Sequence, residues 1–322
     1  MPEAGFPPAE AAVRGTAVAW IGIGKMGLPM VTHLIRAGCR VVGFDPAPRN
    51  LDELVARGGG SAPSARLAAR GAQVVFTSVP DDEAFSNAAT GPEGVIAGCE
   101  PGALFVDTST VSPEASARVA KIAQAHDVRY LRTTVSGNNH FAQEARLTVM
   151  ASGARADYEQ ALPLLRLFGP SQFYLGEEEQ ARMIKLVINL MVAGTSALLA
   201  EALSLGRRGG IDWKLMLDVL CASAVASPIV VGKSQQLKER DFSPTFTARQ
   251  MGKDLRLILK AGEALDVPLP LAALVTQGNQ AVLAAGEGGE DYIAVVKQAE
   301  RLAGLAQPQG SQAFMEHQHG HK

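Results

Sequence analysis

The hydrophobic period of this chain changes once, near residue 177, and that change limits the folds open to it. Before that point, short runs rich in β-branched and aromatic residues alternate with helix-sized stretches. The runs are 16–24, 40–45, 72–80, 103–110, 128–137, 147–153 and 172–176, with segments such as 25–37 and 113–125 between them. Near-continuous apolar strands alternating with helices predict a parallel sheet covered on both faces. Ser112-Pro113 supplies a capping residue and a proline suited to the first helical position. After residue 177 the strand signals stop. Apolar residues then recur at helical spacing through 178–208, 212–222, 227–239, 250–265, 269–286 and 289–304, with Asp212 placed to cap the helix that follows it. The first of these helices runs from the sheet domain into the helical one. A joint of that kind predicts a cleft between the domains, where ligands usually bind.

The length of 322 residues, with 47% hydrophobic and 19% charged, suffices for two domains. A net charge of -2 shows no basic excess, so neither nucleic acid nor an anionic membrane is expected as a partner. Cys39, Cys99 and Cys221 are odd in number and far apart. They make neither a disulfide framework nor a metal knuckle, and they suit a reducing, cytoplasmic setting. Residues 1–15 lack the basic start and long apolar stretch of a signal peptide and read as a flexible extension. The longest uncharged apolar run, 186–200, is shorter than the ~20 residues of a membrane span. It also carries Asn189, Thr195 and Ser196, so a buried helix of a soluble protein is expected. Residues 307–322 read as a disordered tail. Its His317, His319 and His321 have no cysteine or acid cluster beside them, so no metal site is expected.

The first strand ends in Gly22-Ile23-Gly24-Lys25-Met26-Gly27. Alone, a GxGxxG is weak; here it closes a strand and opens a helix, as a dinucleotide-binding loop must. Gly22 permits the tight turn, Gly24 lets a pyrophosphate approach the backbone, and Gly27 lets helix and strand pack closely. The helix N-terminus adds free N–H groups and partial positive charge. The second strand ends at Asp45, whose carboxylate can accept hydrogen bonds from both hydroxyls of an adenosine ribose and would repel a 2′-phosphate. NAD is therefore the preferred cofactor. Arg49 lies close enough in sequence to keep NADP as the lesser option. Val79, Pro80, Thr108 and Ser109 end the third and fourth predicted strands, where a doubly wound sheet meets its ligand, and are expected cofactor contacts. The fold class expected is an α/β Rossmann-type domain at 16–176, followed by an all-α domain at 177–306 joined through the long helix.

Several segments together resemble the β-hydroxyacid dehydrogenase family, which includes 3-hydroxyisobutyrate dehydrogenase and tartronate semialdehyde reductase and is related to 6-phosphogluconate dehydrogenase. IGIGKMGLPM (21–30) resembles its dinucleotide loop, VDTSTVSP (106–113) its cofactor-side segment, and VSGNNHFAQEARLTVMASG (135–153) its substrate loop. KLVIN (185–189) resembles its catalytic helix; FSPTFTARQMGKDL (242–255) and EDYIAVVKQAE (290–300) resemble its C-terminal signatures. The resemblance covers about residues 16–306. It implies a nicotinamide cofactor, oxidation of a hydroxyl β to a carboxylate or the reverse reduction, and a homodimer or homotetramer built through the helical domain.

The same resemblance assigns roles to residues. Lys185 and Asn189 stand four apart in an apolar helix and so share a face. On the residues alone, a lysine reaching solvent and an amide bonded to backbone would explain them. The resemblance instead makes them the catalytic pair, with Lys185 as general acid/base and Asn189 holding the substrate in line. A free lysine titrates near ~10.4, so a base working near neutrality needs an apolar setting or a neighbouring cation. Ile184, Leu186 and Ile188 offer the first, and Lys253 is the expected second. Ser136 and Gly137 match the family's carboxylate-binding turn, hydroxyl plus backbone N–H. Asn138 adds an amide to that pocket. Lys253 resembles a residue that approaches both nicotinamide and substrate, Phe246 an aromatic that closes the pocket, and Asp254 reads as structural. Imine reductases resemble this family but carry Asp or Tyr at the catalytic position, so Lys185 favours the dehydrogenase. A non-catalytic nucleotide-binding module would be expected to lose that lysine.

The substrate loop departs from the family pattern. Arg132, Thr133 and Thr134 stand where the family has an acid, Ala and Pro; Asn138, Phe141 and Ala145 replace glycines; Arg146 replaces a threonine. A glycine-poor loop loses access to some positive-φ conformations, although Asn138 tolerates left-handed geometry. These changes predict a substrate bulkier or more polar than 3-hydroxyisobutyrate.

Overall fold

The computed structural model describes residues 12–306. The predicted tail at 307–322 lies outside them, as do residues 1–11. The chain divides into two compact units between Leu186 and Val187, inside one helix. The sequence reading put the domain border at 176/177, before that helix begins.

In the first unit the strands are β1 (Ala17–Ile21), β2 (Arg40–Phe44), β3 (Gly60–Ser61), β4 (Val74–Thr77), β5 (Leu104–Asp107), β6 (Arg129–Ser136), β7 (Thr148–Ser152) and β8 (Ser171–Tyr174). The helices are α1 (Gly27–Arg36), α2 (Pro48–Ala56), α3 (Ala65–Ala69), α4 (Asp82–Thr90), α5 (Pro113–Ala125), α6 (Asn139–Gln143) and α7 (Arg155–Leu165). The sheet order is β3-β2-β1-β4-β5-β6-β7-β8. The chain order reverses beside β1, so the loops after β1 and β4 flank the point where such sheets take ligands. Ser112 caps α5 as expected, accepting a hydrogen bond from the Ala115 N–H.

All neighbouring pairs are parallel except β6 with β7. A fully parallel sheet was expected, and the exception follows from the connection. Residues 137–147 hold only the five-residue α6, whereas a parallel crossover needs a dozen or more residues. The register sets Arg132 opposite Ser152 and Ser136 opposite Thr148. The two-residue β3 is too short to show a period in sequence.

Both faces of the sheet are apolar, which explains the near-continuous apolar strands. On one face Trp20, Phe76, Val106 and Leu131 pack with Met30 and Leu34 of α1 and Leu164 of α7. On the other, Ile21, Val75 and Phe105 pack with Phe85 of α4 and Val119 of α5. Trp20 stacks on Phe76 at 5.0 Å and meets Phe168 edge-on at 5.9 Å, the offset arrangements that aromatic quadrupoles favour. The end of the expected flexible extension is packed: Val13 is buried in the first of these cores, and Gly15 N–H donates to Gly38 O at 2.9 Å.

The long helix α8 (Gln180–Arg208) continues into the second unit, which holds α9 (Trp213–Ala222), α10 (Pro228–Glu239), α11 (Ala248–Ala264), α12 (Pro270–Ala284) and α13 (Val295–Leu302). Asp212 caps α9 through the Leu215 N–H. Leu203, Leu217, Leu237, Val282 and Val296 form the core of this unit. Arg207 and Arg240 both bond the fully buried Glu300, and Lys233 bonds the buried Asp291 at 2.8 Å. By length and apolar composition alone α8 could cross a bilayer. Within the protein both its ends carry arginines bonded to folded partners, Arg182 to Asp107 and Arg207 to Glu300. Between them Val187, Met191, Leu198 and Leu205 stand exposed along one side.

Candidate active site

The glycine loop has the geometry of a phosphate cradle. Gly22 lies at φ +89°, and a Cβ there would meet the Ser78 carbonyl oxygen at 2.2 Å. Gly27 has no room either: a Cβ would sit 2.0 Å from Gly22 O, and Trp20 Nε1 bonds that same oxygen at 3.0 Å. At Gly24, by contrast, a Cβ would meet nothing within 4 Å, and Gly24 and Lys25 are exposed. Two glycines thus serve packing and the middle one leaves open backbone, the division of labour a dinucleotide pyrophosphate requires. Ile23 is buried and Met26 is half-buried, so these two support the loop from within.

Asp45 directly follows β2 and is buried. Its Oδ2 accepts the Ile23 N–H at 2.7 Å, and its Oδ1 accepts the Ala47 N–H at 2.8 Å. The carboxylate therefore braces the glycine loop. Each oxygen keeps a lone pair, so a ribose hydroxyl still fits. Arg49 is exposed and lies 3.8 Å from Glu53.

Val79 follows β4, and its N–H donates to Ser109 Oγ at 2.9 Å. The Ser109 hydroxyl donates to Asp107 Oδ1 at 2.7 Å, and Thr108 Oγ1 donates to Thr77 O at 2.7 Å. Thr108 and Ser109 are buried. Their hydroxyls brace the strand ends, while Val79 is half-buried and Pro80 exposed beside them.

At the end of β6 the structure brings together what the sequence had placed about fifty residues apart. Lys185 Nζ donates to Val135 O at 2.8 Å, one residue before Ser136-Gly137. Gly137 lies at φ +131°, and a Cβ there would strike Leu147 at 2.7 Å and Phe141 at 3.0 Å, so only glycine fits. Asn138 does not use the left-handed geometry that an asparagine tolerates. It is extended, and its Oδ1 accepts the His140 and Phe141 N–H groups at 3.1 Å each, capping α6. Ala145 does hold a positive φ, +53°, without the family's glycine. Arg146 lies over the Phe141 ring at 4.9 Å and bonds Glu144 at 2.9 Å.

Of the departures at 132–134, Arg132 and Thr134 bond the start of α8, while the Thr133 hydroxyl donates to Asp107 O at 3.0 Å. Arg132 Nε donates to Glu179 Oε1 at 2.7 Å, and Thr134 Oγ1 donates to Ala181 O at 2.9 Å. Thr133 O accepts from Arg182 Nη1 at 3.3 Å.

In the second unit Asn189 is buried and its Nδ2 donates to Asp254 Oδ2. Asp254 also pairs with Lys253 Nζ at 2.9 Å. Asp254, read as structural from the sequence, is buried and orients the Asn189 amide. Phe246 is half-buried, edge-on to Tyr292 at 6.1 Å. Asp107, Tyr130 and Arg182 were not singled out in sequence. The available signal was Arg182 itself, a second cation in the apolar start of the helix. Among the described residues no group of three or more His, Cys, Asp or Glu could hold a metal.

A doubly wound sheet with this loop at its switch point defines a dinucleotide-binding protein. Residues 17–176 match the family described as the NAD binding domain of 6-phosphogluconate dehydrogenase, and residues 180–299 match that described as NAD-binding of NADP-dependent 3-hydroxyisobutyrate dehydrogenase. The chain is 32% identical to the 2-(hydroxymethyl)glutarate dehydrogenase of Eubacterium barkeri, over 90% of its own length and 96% of that protein. It is 28% identical to the cytokine-like nuclear factor N-PAC of Xenopus tropicalis, but spans only 52% of that longer protein. The crystal structure of 3-hydroxyisobutyrate dehydrogenase from Salmonella typhimurium superposes with a TM-score of 0.81 at 28% identity, covering 88% of this chain and 99% of that one. The chain belongs to the β-hydroxyacid dehydrogenase family of nicotinamide-dependent oxidoreductases.

Proposed function

We propose that this protein interconverts a β-hydroxyacid and its semialdehyde or keto acid, with Lys185 as the general acid/base and NAD preferred over NADP. The observation that carries the reading is the Lys185 ammonium held 2.8 Å from Val135 O, next to the Ser136-Gly137 turn. The nicotinamide, when bound, supplies the hydride acceptor for the alcohol carbon. Neutral Lys185 takes the hydroxyl proton as the carbonyl forms, and its ammonium returns the proton in the reduction. The Ser136 hydroxyl and Gly137 N–H hold the carboxylate. Asn189, its amide fixed by Asp254, orients the substrate. Asp45 favours NAD because a 2′-phosphate would face a buried carboxylate. The Phe141–Arg146 stack favours a substrate larger or more polar than 3-hydroxyisobutyrate. The homo-oligomer and the cytoplasmic setting belong to the same reading.

Initial rates of nicotinamide reduction near pH 9, with NAD and NADP separately and a panel of 3-hydroxyacids, test this proposal. The expected result is turnover with NAD, preference for larger acids, and loss of at least about 10³-fold in Lys185→Ala while cofactor still binds. A Lys185→Ala enzyme with undiminished kcat would overturn the lysine's role. A panel topped by 3-hydroxyisobutyrate would overturn the substrate preference.

A further inference from the structure

Arg182 is fully buried in the first turn of α8, three residues before Lys185. Burying a guanidinium costs several kcal/mol before its partners repay it, and an apolar residue would pack a helix start as well. Here every arm of the fork is used. Nη2 bonds Asp107 Oδ2 and Tyr130 OH, Nη1 donates to Ser109 O at 2.8 Å and to Thr133 O, and Nε donates to Ser116 Oγ at 3.2 Å. A planar fork seated on two carbonyls and a carboxylate fixes both the rotation of a helix and its position along its axis; a lysine in the same place fixes neither.

The partners connect the two ends of the chemistry. Val79 N–H donates to Ser109 Oγ, Ser109 to Asp107 Oδ1, and Asp107 Oδ2 accepts from Arg182. From Arg182 one turn of helix leads to Lys185 and its bond to Val135 O. Two neighbouring bonds, Arg132 to Glu179 and Thr134 to Ala181 O, hold the same turn from β6. We propose that Arg182 is a positioning residue: it locks the helix that carries Lys185 to the strand ends that face the cofactor, and so sets where the lysine's Nζ stands. The proposal rests on the catalytic reading of Lys185. Reacting groups misplaced by about 1 Å lose about 10²-fold in rate, so the effect belongs in kcat.

Arg182→Lys tests it, with Tyr130→Phe as a milder variant that removes one partner and keeps the ring, and Lys185→Ala alongside. With the best panel acid, Arg182→Lys is expected to lose about 10–100-fold in kcat. KM and the cofactor Kd should stay within about threefold, and the deuterium isotope effect at the transferred carbon should rise. Tyr130→Phe should show the same split at smaller size. A folded Arg182→Lys enzyme with near-wild-type kcat would overturn the proposal, as would a loss confined to KM or cofactor binding. If Arg182→Lys does not fold, the Tyr130→Phe split decides in the same way. A crystal structure of the variant gives a readout independent of turnover: Lys185 Nζ should leave Val135 O, and an unmoved lysine would refute the positioning role. Should the wild type itself be inactive while the lysine moves in the variant, the catalytic reading fails and the structural coupling stands.

Discussion

Ala145 adopts φ +53°, where a Cβ crowds the backbone, between the short α6 and β7. Left-handed geometry costs an alanine roughly 1–2 kcal/mol, part of which glycine's extra unfolded-state entropy offsets. Ala145→Gly is therefore expected to stabilise the protein by about 0.5–1 kcal/mol, read from the denaturant midpoint at unchanged m-value. The same comparison shows how far a single residue is legible. Gly22, Gly24 and Gly27 could be assigned from sequence because each role follows from a missing side chain. Asn138 could not: its composition allows a left-handed turn or a helix cap, and local packing chose the cap.

The start of α8 is where sequence reasoning met its limit at the level of elements. The helix itself, its apolar period and the Lys185–Asn189 face were plain. What seats its first turn comes from three strands: Asp107 of β5, Tyr130, Arg132 and Thr134 of β6, and Ser152 of β7, whose hydroxyl accepts the Ala181 N–H at 3.0 Å. Burial pushes the Tyr130 phenol up to about 12, against the pull of Arg182. Its folded value lies above the ordinary 10.0, so the fold favours the neutral phenol. That contribution is present below pH 10 and is lost as the pH rises toward 12. The denaturation midpoint should fall across this window, and fall less in Tyr130→Phe; equal falls would remove Tyr130 from the account.

For the whole molecule, the outstanding surface is the side of α8 that carries Met191, Leu198 and Leu205 at heptad spacing. These side chains are 64%, 69% and 77% exposed, and a row of large apolar residues this open is characteristic of a contact surface. It accords with the homo-oligomer proposed for the protein. Leu198→Lys combined with Leu205→Lys is expected to convert the wild-type oligomer to monomer in sedimentation velocity, with helical content unchanged. A wild type that sediments as a monomer would refute it.

The alternation of strands and helices, the single change to a helical period, the glycine turn and the spacing of Lys185 and Asn189 were all readable directly. Each depends on residues a few positions apart, and local geometry converts such spacing into a face, a turn or a cap. The antiparallel return of β7, the docking of Val13, the seat of Arg182 on Asp107 and the hold of Asp254 on Asn189 were decided only by the folded chain. These contacts join residues from 12 to 75 positions apart. Their partners are chosen by which groups the sheet and helices bring together after burial has made an unpaired charge or amide costly.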